Sequence, residues 1–465
     1  MVEPGPELSD AISAYQQGQG GEALRISRAI LRRESDNAGA HYIFGIAQAD
    51  AGEPGEALHA LERAVTLAPE KASFHITLGN LYLHVARDAA AARAFRRALA
   101  IAPDSAPARA NLATTLKRQG RLEEAVAEFR AALGLLRGSN WLNPCAPGAI
   151  TDPSQDDTFR YASLAKLKHD IEQYEYLLAR DALPPAFAGE ISAHREVLAE
   201  LQALDGDGDP ARRYPLSPDQ QARLAGSFNR LNYLPPEANL ENSVLNPALD
   251  CARIMQDYAA AVPPAIILDD LLGAPALAEL RRFCLEATIW FDCKEHGGYL
   301  GAYLNEGFDS PVLFKLAREL QERLPDMFAG QRLAQMWAFK CGGQSPGTRL
   351  HADKSFINLN FWITPDEALC DARSGGLRIY DIAAPPEWNF QNYNHQETAM
   401  RAEIKHQGGS GQDVLYKCNR GMIFDASLMH ETIPLDFHAG YENHRINITM
   451  LFGNRRETRD AQERS

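Results

Sequence analysis

The chain has 465 residues, and 61 Asp and Glu against 47 Lys and Arg give a formal net charge of -14. That length exceeds a single compact core and predicts about two to four domains of ordinary globular composition. The acidic balance excludes sequence-independent nucleic-acid binding, because phosphate contacts need clustered Lys and Arg. Seven cysteines are scattered and never form a C-x-x-C pair. This is expected of reduced thiols in a cytoplasm, not of a disulfide framework or a zinc cluster. The opening, MVEPGPELSD, is acidic where a signal peptide is basic and then apolar. The apolar run over 265–272 is cut by Pro264, Asp269 and Asp270, so no membrane span is expected and the protein reads as soluble and cytoplasmic.

Residues 1–139 repeat themselves. From Ala38 the chain falls into blocks of 34 residues that begin at Ala38, Ala72 and Ala106. Small residues recur where two helices must approach closely: Gly45, Gly79 and Ala113, then Ala57, Ala91 and Ala125. Leu61, Phe95 and Phe129 fill the spaces between them, and Pro69 and Pro103 close two blocks. His41 and His75 occupy the same place in successive blocks, which assigns them to packing and not to ligation. A degenerate earlier block with Tyr15, Gly18 and Ala23 is expected to cap the stack. Period and pattern together resemble the tetratricopeptide repeat family over about 130 residues. The resemblance implies an α-solenoid whose groove takes a protein or peptide segment.

Residues 140–262 read as a helical linker region. A stretch rich in Pro, Gly, Asn and Asp predicts a loop over 140–160. The spacing of Leu164, Leu167, Ile171, Tyr174 and Leu177 predicts a helix over 161–180, and a second is expected over 185–204. The acidic run 205–209 begins like a calcium loop but meets Pro210 where glycine is needed and Leu216 where glutamate is needed. It reads as a flexible linker.

Over 263–460 the pattern changes. A strand at 265–268 and helices at 275–286 and 312–324 precede short strands at 334–341, 356–363, 377–382, 414–418, 422–425 and 446–452. Gly and Pro fall between them, which predicts a sandwich or barrel. His351 and Asp353 lie two apart just before a strand, so on extended backbone both point to one side. His430 follows the run 421–429, read as a buried strand that delivers the histidine at its exit. Two histidines and one carboxylate leave open positions on a metal and are the ligand set of non-haem Fe(II) oxygenases.

Arg445, Asn447 and Thr449 alternate with Ile446, Ile448 and Met450, so this strand has a polar face, which predicts a pocket. A buried arginine must meet an anion, and its planar fork matches a carboxylate. A structural bridge to Asp436 or Glu442 is the alternative. Asn358 and Asn360 share one face of the strand after the H-x-D pair and are further pocket candidates. The segment 383–411, with Trp388, Phe390 and Tyr393, interrupts the strands and is expected to act as a lid.

The order H-x-D, His, Arg, set in LHADKSFINLNFWI, SGGLRIYD, RGMIFDASLMHET and HRINITMLFG, resembles the Fe(II)/2-oxoglutarate-dependent dioxygenases of the prolyl-hydroxylase-like superfamily. The resemblance implies a double-stranded β-helix (jelly-roll) with flanking helices. The whole chain is then a multidomain α + β protein of solenoid, helical linker and oxygenase domain. It further implies Fe(II) held by His351, Asp353 and His430, and 2-oxoglutarate held by Arg445, with Asn358 and Asn447 as added contacts. O2 is the implied co-substrate and ascorbate a reductant. The implied reaction hydroxylates a C–H bond with release of succinate and CO2, on a protein or peptide recruited by the repeats. A small-molecule hydroxylase, a metal enzyme that does not use 2-oxoglutarate and a non-catalytic adaptor with a relic barrel are the alternatives.

Overall fold

The computed structural model describes residues 6–138, 159–205, 209–236 and 242–453. The chain divides into two compact units, Met1–Leu136 and Arg137–Ser465. Most of the loop expected over 140–160, and residues 206–208 of the acidic run, lie outside the described residues.

The first unit is a series of helix pairs: α1 (Pro6–Gln16) with α2 (Gly20–Arg33), α3 (Ala38–Asp50) with α4 (Pro54–Leu67), α5 (Ala72–His84) with α6 (Asp88–Ile101), and α7 (Ala106–Arg118) with α8 (Leu122–Arg137). The side chains of Asn37 and Ser105 accept from the N–H groups of Ala40 and Ala108 at 2.9 and 3.3 Å. These caps satisfy first-turn donors that a helix leaves unpaired. A Cβ at Gly45 would lie 2.7 Å from Leu61 Cγ, and one at Gly79 would lie 2.6 Å from Phe95 Cε1. Neither position has room for a side chain. Ala57, Ala91 and Ala125 are wholly buried, so the helices close on methyl groups. His41 and His75 each set Nε2 against a backbone oxygen of the preceding turn, Ser35 O at 2.8 Å and Pro69 O at 3.0 Å. That is the packing role expected of them.

The second unit is β-rich at its centre. A short ladder pairs β1 (Tyr161–Ala162) with β2 (Tyr214–Pro215). A seven-stranded antiparallel sheet runs, in spatial order, β3 (Ala265–Leu268), β11 (Gly421–Asp425), β8 (Ile357–Trp362), β14 (Arg445–Phe452), β6 (Leu333–Cys341), β5 (Leu300–Tyr303) and β4 (Asp292–Cys293). A three-stranded sheet runs β10 (Gly411–Val414), β9 (Leu377–Ala383) and β12 (Leu428–Thr432), and β7 (Gln344–Ser345) pairs with β13 (Leu435–Asp436). Trp362, Met422 and Phe424 of the larger sheet form one apolar cluster with Leu377, Ile379 and Val414 of the smaller. The two sheets therefore share a core.

Three expectations are corrected. The strand expected at 414–418 is Gly411–Val414, after which the chain leaves the ladder and buries Tyr416, whose hydroxyl donates to Thr364 O at 2.5 Å. The region expected as a linker is part of the second unit. Its helix Leu164–Leu178 buries Leu167, Tyr174 and Leu177, and Gln173 Nε2 donates to Leu285 O and Ala287 O at 3.1 and 2.9 Å. That amide meets carbonyls at the end of the helix Ala274–Glu286, where Leu285 O also accepts from the Tyr441 hydroxyl at 2.6 Å. The segment 383–411 carries two helices, Phe390–His395 and Glu397–His406, with Met400 and Ile404 buried against Leu350 and Met429. It is packed as a buttress. Among the described residues no helix is long and apolar enough to cross a membrane.

Candidate metal centre

Backbone pairing brings the distant histidine to the H-x-D pair. His351 N–H donates to His430 O at 2.9 Å, and His430 N–H donates to His351 O at 2.8 Å. Residues opposed in this way turn their side chains to one face. Asp353 N–H donates to Ala426 O at 2.8 Å, and alternation returns its carboxylate to the side of His351. One ligand atom from each of His351, Asp353 and His430 lies within 4.8 Å of the others. His430 does not sit at the exit of β11, as the sequence implied. β11 ends at Asp425, a turn follows, and His430 lies inside β12 of the smaller sheet.

Hydrogen bonding fixes which ring nitrogens are free. His351 Nδ1 meets Arg349 O at 2.7 Å, and His430 Nδ1 meets Leu428 O at 2.9 Å. A carbonyl can only accept, so each Nδ1 carries a proton, and in the neutral ring the lone pair then lies on Nε2. Burial, and then the neighbouring His351, hold the His430 imidazole well below its ordinary range, in the neutral form a ligand needs. Burial pushes the Asp353 carboxyl up, opposed by His351 and by Asn358. Asn358 Nδ2 donates to Asp353 Oδ2 at 2.7 Å. Two imidazoles held through Nδ1 and a carboxylate held by an amide fit a divalent ion with a nitrogen and oxygen preference.

Arg445 opens into the same pocket. It is buried, Nε donates to Gly375 O at 2.7 Å, and Nη2 has no partner. The two carboxylates weighed as bridges are engaged elsewhere, Asp436 with Gln344 and Glu442 with Arg180. Burial brings the guanidinium down to about 10. An unpaired buried guanidinium N–H is costly and is matched by an incoming carboxylate.

Asn447 and Thr449 line the pocket beside Arg445. Asn358, expected there as a co-substrate contact, instead holds Asp353, and Asn360 is the amide of β8 that reaches the pocket. None of the described lining residues comes from 383–411, so the lid expectation is replaced by the buttress behind Leu350 and Met429. Arg401 of that segment pairs with Glu431, the neighbour of His430, at 2.7 Å.

Sequence reasoning did not assign Tyr299, Trp337, Phe339 and Cys341, which also line the pocket. Alternation along β6 groups Trp337, Phe339 and Cys341. Lys340 takes the other face, where its ammonium donates to Tyr441 Oη at 2.5 Å. Tyr299 carries no signal in the sequence. Only the register of β5 on β6, with Leu300 opposite Lys340, brings it there.

Tetratricopeptide repeat families match residues 8–72, 44–106 and 86–141. The crystal structure of MamA is similar at 22% identity, over 27% of this chain and 73% of that one, with a TM-score of 0.26. A second MamA crystal structure matches at 25% identity, over 28% and 71%, with a TM-score of 0.27. The crystal structure of YrrB, a TPR protein with an unusual peptide-binding site, matches at 22% identity, over 28% and 67%, with a TM-score of 0.27. No curated protein matches the chain. The N-terminal region is thus built of tetratricopeptide repeats, joined to a β-rich C-terminal unit.

Proposed function

We propose that the second unit is an Fe(II)/2-oxoglutarate-dependent dioxygenase with a double-stranded β-helix fold. It would act in the cytoplasm on a C–H bond of a protein or peptide recruited by the repeats. The observation that carries this reading is the convergence of His351, Asp353 and His430 in one pocket with Arg445, whose Nη2 has no partner. Two antiparallel sheets around one core support the fold. His351, Asp353 and His430 would hold Fe(II), and Arg445 a carboxylate of 2-oxoglutarate. Bound there, metal and co-substrate supply O2 activation, one oxygen atom entering the C–H bond and the other entering succinate as CO2 is lost.

The chain's own part is orientation and exclusion of water. Asn358 aims the Asp353 carboxylate, and the carbonyls of Arg349 and Leu428 set the two rings. Gly375 O fixes the Arg445 fork. Leu377 and Leu435 keep one pocket wall apolar. Tetratricopeptide repeats support protein interaction in general, which is why a protein or peptide substrate is preferred over a small molecule.

Succinate release from 2-oxoglutarate with Fe(II), O2 and ascorbate tests the reading against His351→Ala. The expected result is succinate from the wild type and none from the variant. No succinate from either, with no Fe(II) bound anaerobically, would favour an adaptor with a relic barrel. Turnover indifferent to Arg445→Ala would indicate a metal enzyme that does not use 2-oxoglutarate.

A further inference from the structure

Two residues that line the pocket carry a buried donor without a partner, Arg445 Nη2 and Trp337 Nε1. Strand register separates them. On β14, Arg445 lies opposite Cys341 of β6, and Thr449 lies opposite Trp337. Four residues of strand, roughly 13 Å, therefore stand between the two levels. On its other side Thr449 lies opposite Asn360 of β8, two residues from the Asn358 that holds Asp353. This register puts Trp337 nearer the Asp353 end of the pocket than Arg445 is. A co-substrate anchored on Arg445 meets that donor and leaves the Trp337 N–H for a second molecule.

The pocket wall runs aromatic along β6, from Trp337 through Phe339, with Tyr299 beside Cys341 at the Arg445 end. Tyr299 and Phe339 meet edge to face with ring centres 4.8 Å apart, and Trp337 lies 6.3 Å from Phe339. Aromatic faces accept saturated carbon. An indole N–H can only donate, so its partner is an acceptor such as a carbonyl. Among the described lining residues no permanent side-chain cation stands at this level, since Arg445 is four strand positions away.

Resting on the oxygenase reading, we propose that Trp337, with Phe339, binds the molecule to be oxidised, and that this molecule is a neutral aliphatic amide. It is a peptide residue whose backbone carbonyl accepts from Trp337 Nε1 while its saturated side chain lies along the aromatic wall beside the metal ligands.

The test uses the full chain labelled with 5-fluorotryptophan and loaded with Zn(II), which holds the site without turnover. The Trp337 fluorine signal is assigned among the five tryptophans by its loss in Trp337→Phe. The probes are capped tripeptides acetyl-Gly-X-Gly-amide with X proline, valine, leucine or isoleucine, the same four free amino acids, and 2-oxoglutarate. At least one capped tripeptide should move the Trp337 signal saturably, and 2-oxoglutarate alone should not. Trp337→Phe keeps the ring packing and removes the donor, and it should weaken that tripeptide about tenfold by calorimetry. Its KM for 2-oxoglutarate should change by less than about twofold. The proposal is overturned if 2-oxoglutarate itself moves the signal, if free acids move it and capped peptides do not, or if no probe does. Failure of the oxygenase reading is seen separately, as absence of succinate from the Fe(II)-loaded wild type, and would leave a fluorine response to capped peptides in place.

Discussion

The two units treat buried polar groups in opposite ways. The repeat unit buries mostly Ala, Leu and Phe, and its few buried hydroxyls bond within their own helices, Ser27 Oγ to Ala23 O and Thr115 Oγ1 to Asn111 O, each at 2.7 Å. In the second unit Lys166, Asp170, Lys340 and Arg445 are all buried. Lys166 pairs with Asp170, and Lys340 with the Tyr441 hydroxyl. Yet Arg445 Nη2, Trp337 Nε1 and the Oδ1 atoms of Asn360 and Asn447 keep no partner, and all four residues line one pocket. Leaving buried donors and acceptors unpaired is destabilising by about 1–3 kcal/mol each. One unit is built to stack. The other leaves unpartnered polar groups on the residues around one pocket.

That contrast can be broken by substitution. Phe95→Ala removes the ring packed on Gly79 and should destabilise the repeat unit by about 3–5 kcal/mol in heat unfolding. Co(II) titration of the same variant should match the wild type, and lost metal binding would show that the second unit depends on the first. Arg445→Ala should raise the KM for 2-oxoglutarate about a hundredfold, with Arg445→Lys recovering only part because lysine lacks the planar fork.

Acid should separate the units further. Burial is the first cause that holds the imidazoles of His169, His194 and His444 below their ordinary range, against the pull of Glu172 on the last. The folded state keeps them neutral, while the unfolded chain takes up protons below about pH 6.5. Their contribution is complete above that pH and is lost as pH falls toward the folded values, by up to about 1.4 kcal/mol per histidine per pH unit. Hydrogen exchange at about pH 7.5 and about pH 5.5 should show the second unit losing more protection than the repeats. Equal losses would remove the buried histidines as the cause. The smallest effect is expected of Asn358→Ala, which should weaken metal affinity about tenfold while the KM for 2-oxoglutarate holds.

The repeats were legible because each block contacts its neighbours, so a period along the chain is already a map of contacts. The sequence by itself located α3 to α8 and gave His41 and His75 their packing role. In the second unit it singled out His351, Asp353, His430 and Arg445, since alternation and order are local properties. It read His430 as the end of one strand, because the turn after Asp425 leaves no signal strong enough to break an apolar run.

Tertiary structure decided the rest. The reciprocal backbone bonds between His351 and His430 set the ligand atoms together. Met400 and Ile404 turned an expected lid into a buttress, and Gln173 made an expected linker part of the unit. Tyr299 reached the pocket through the pairing of β5 with β6, and Trp337 through the pairing of β6 with β14. No local pattern specifies such a register. It follows from which face the assembled sheet must bury, and a slip of one residue would turn every one of these side chains away.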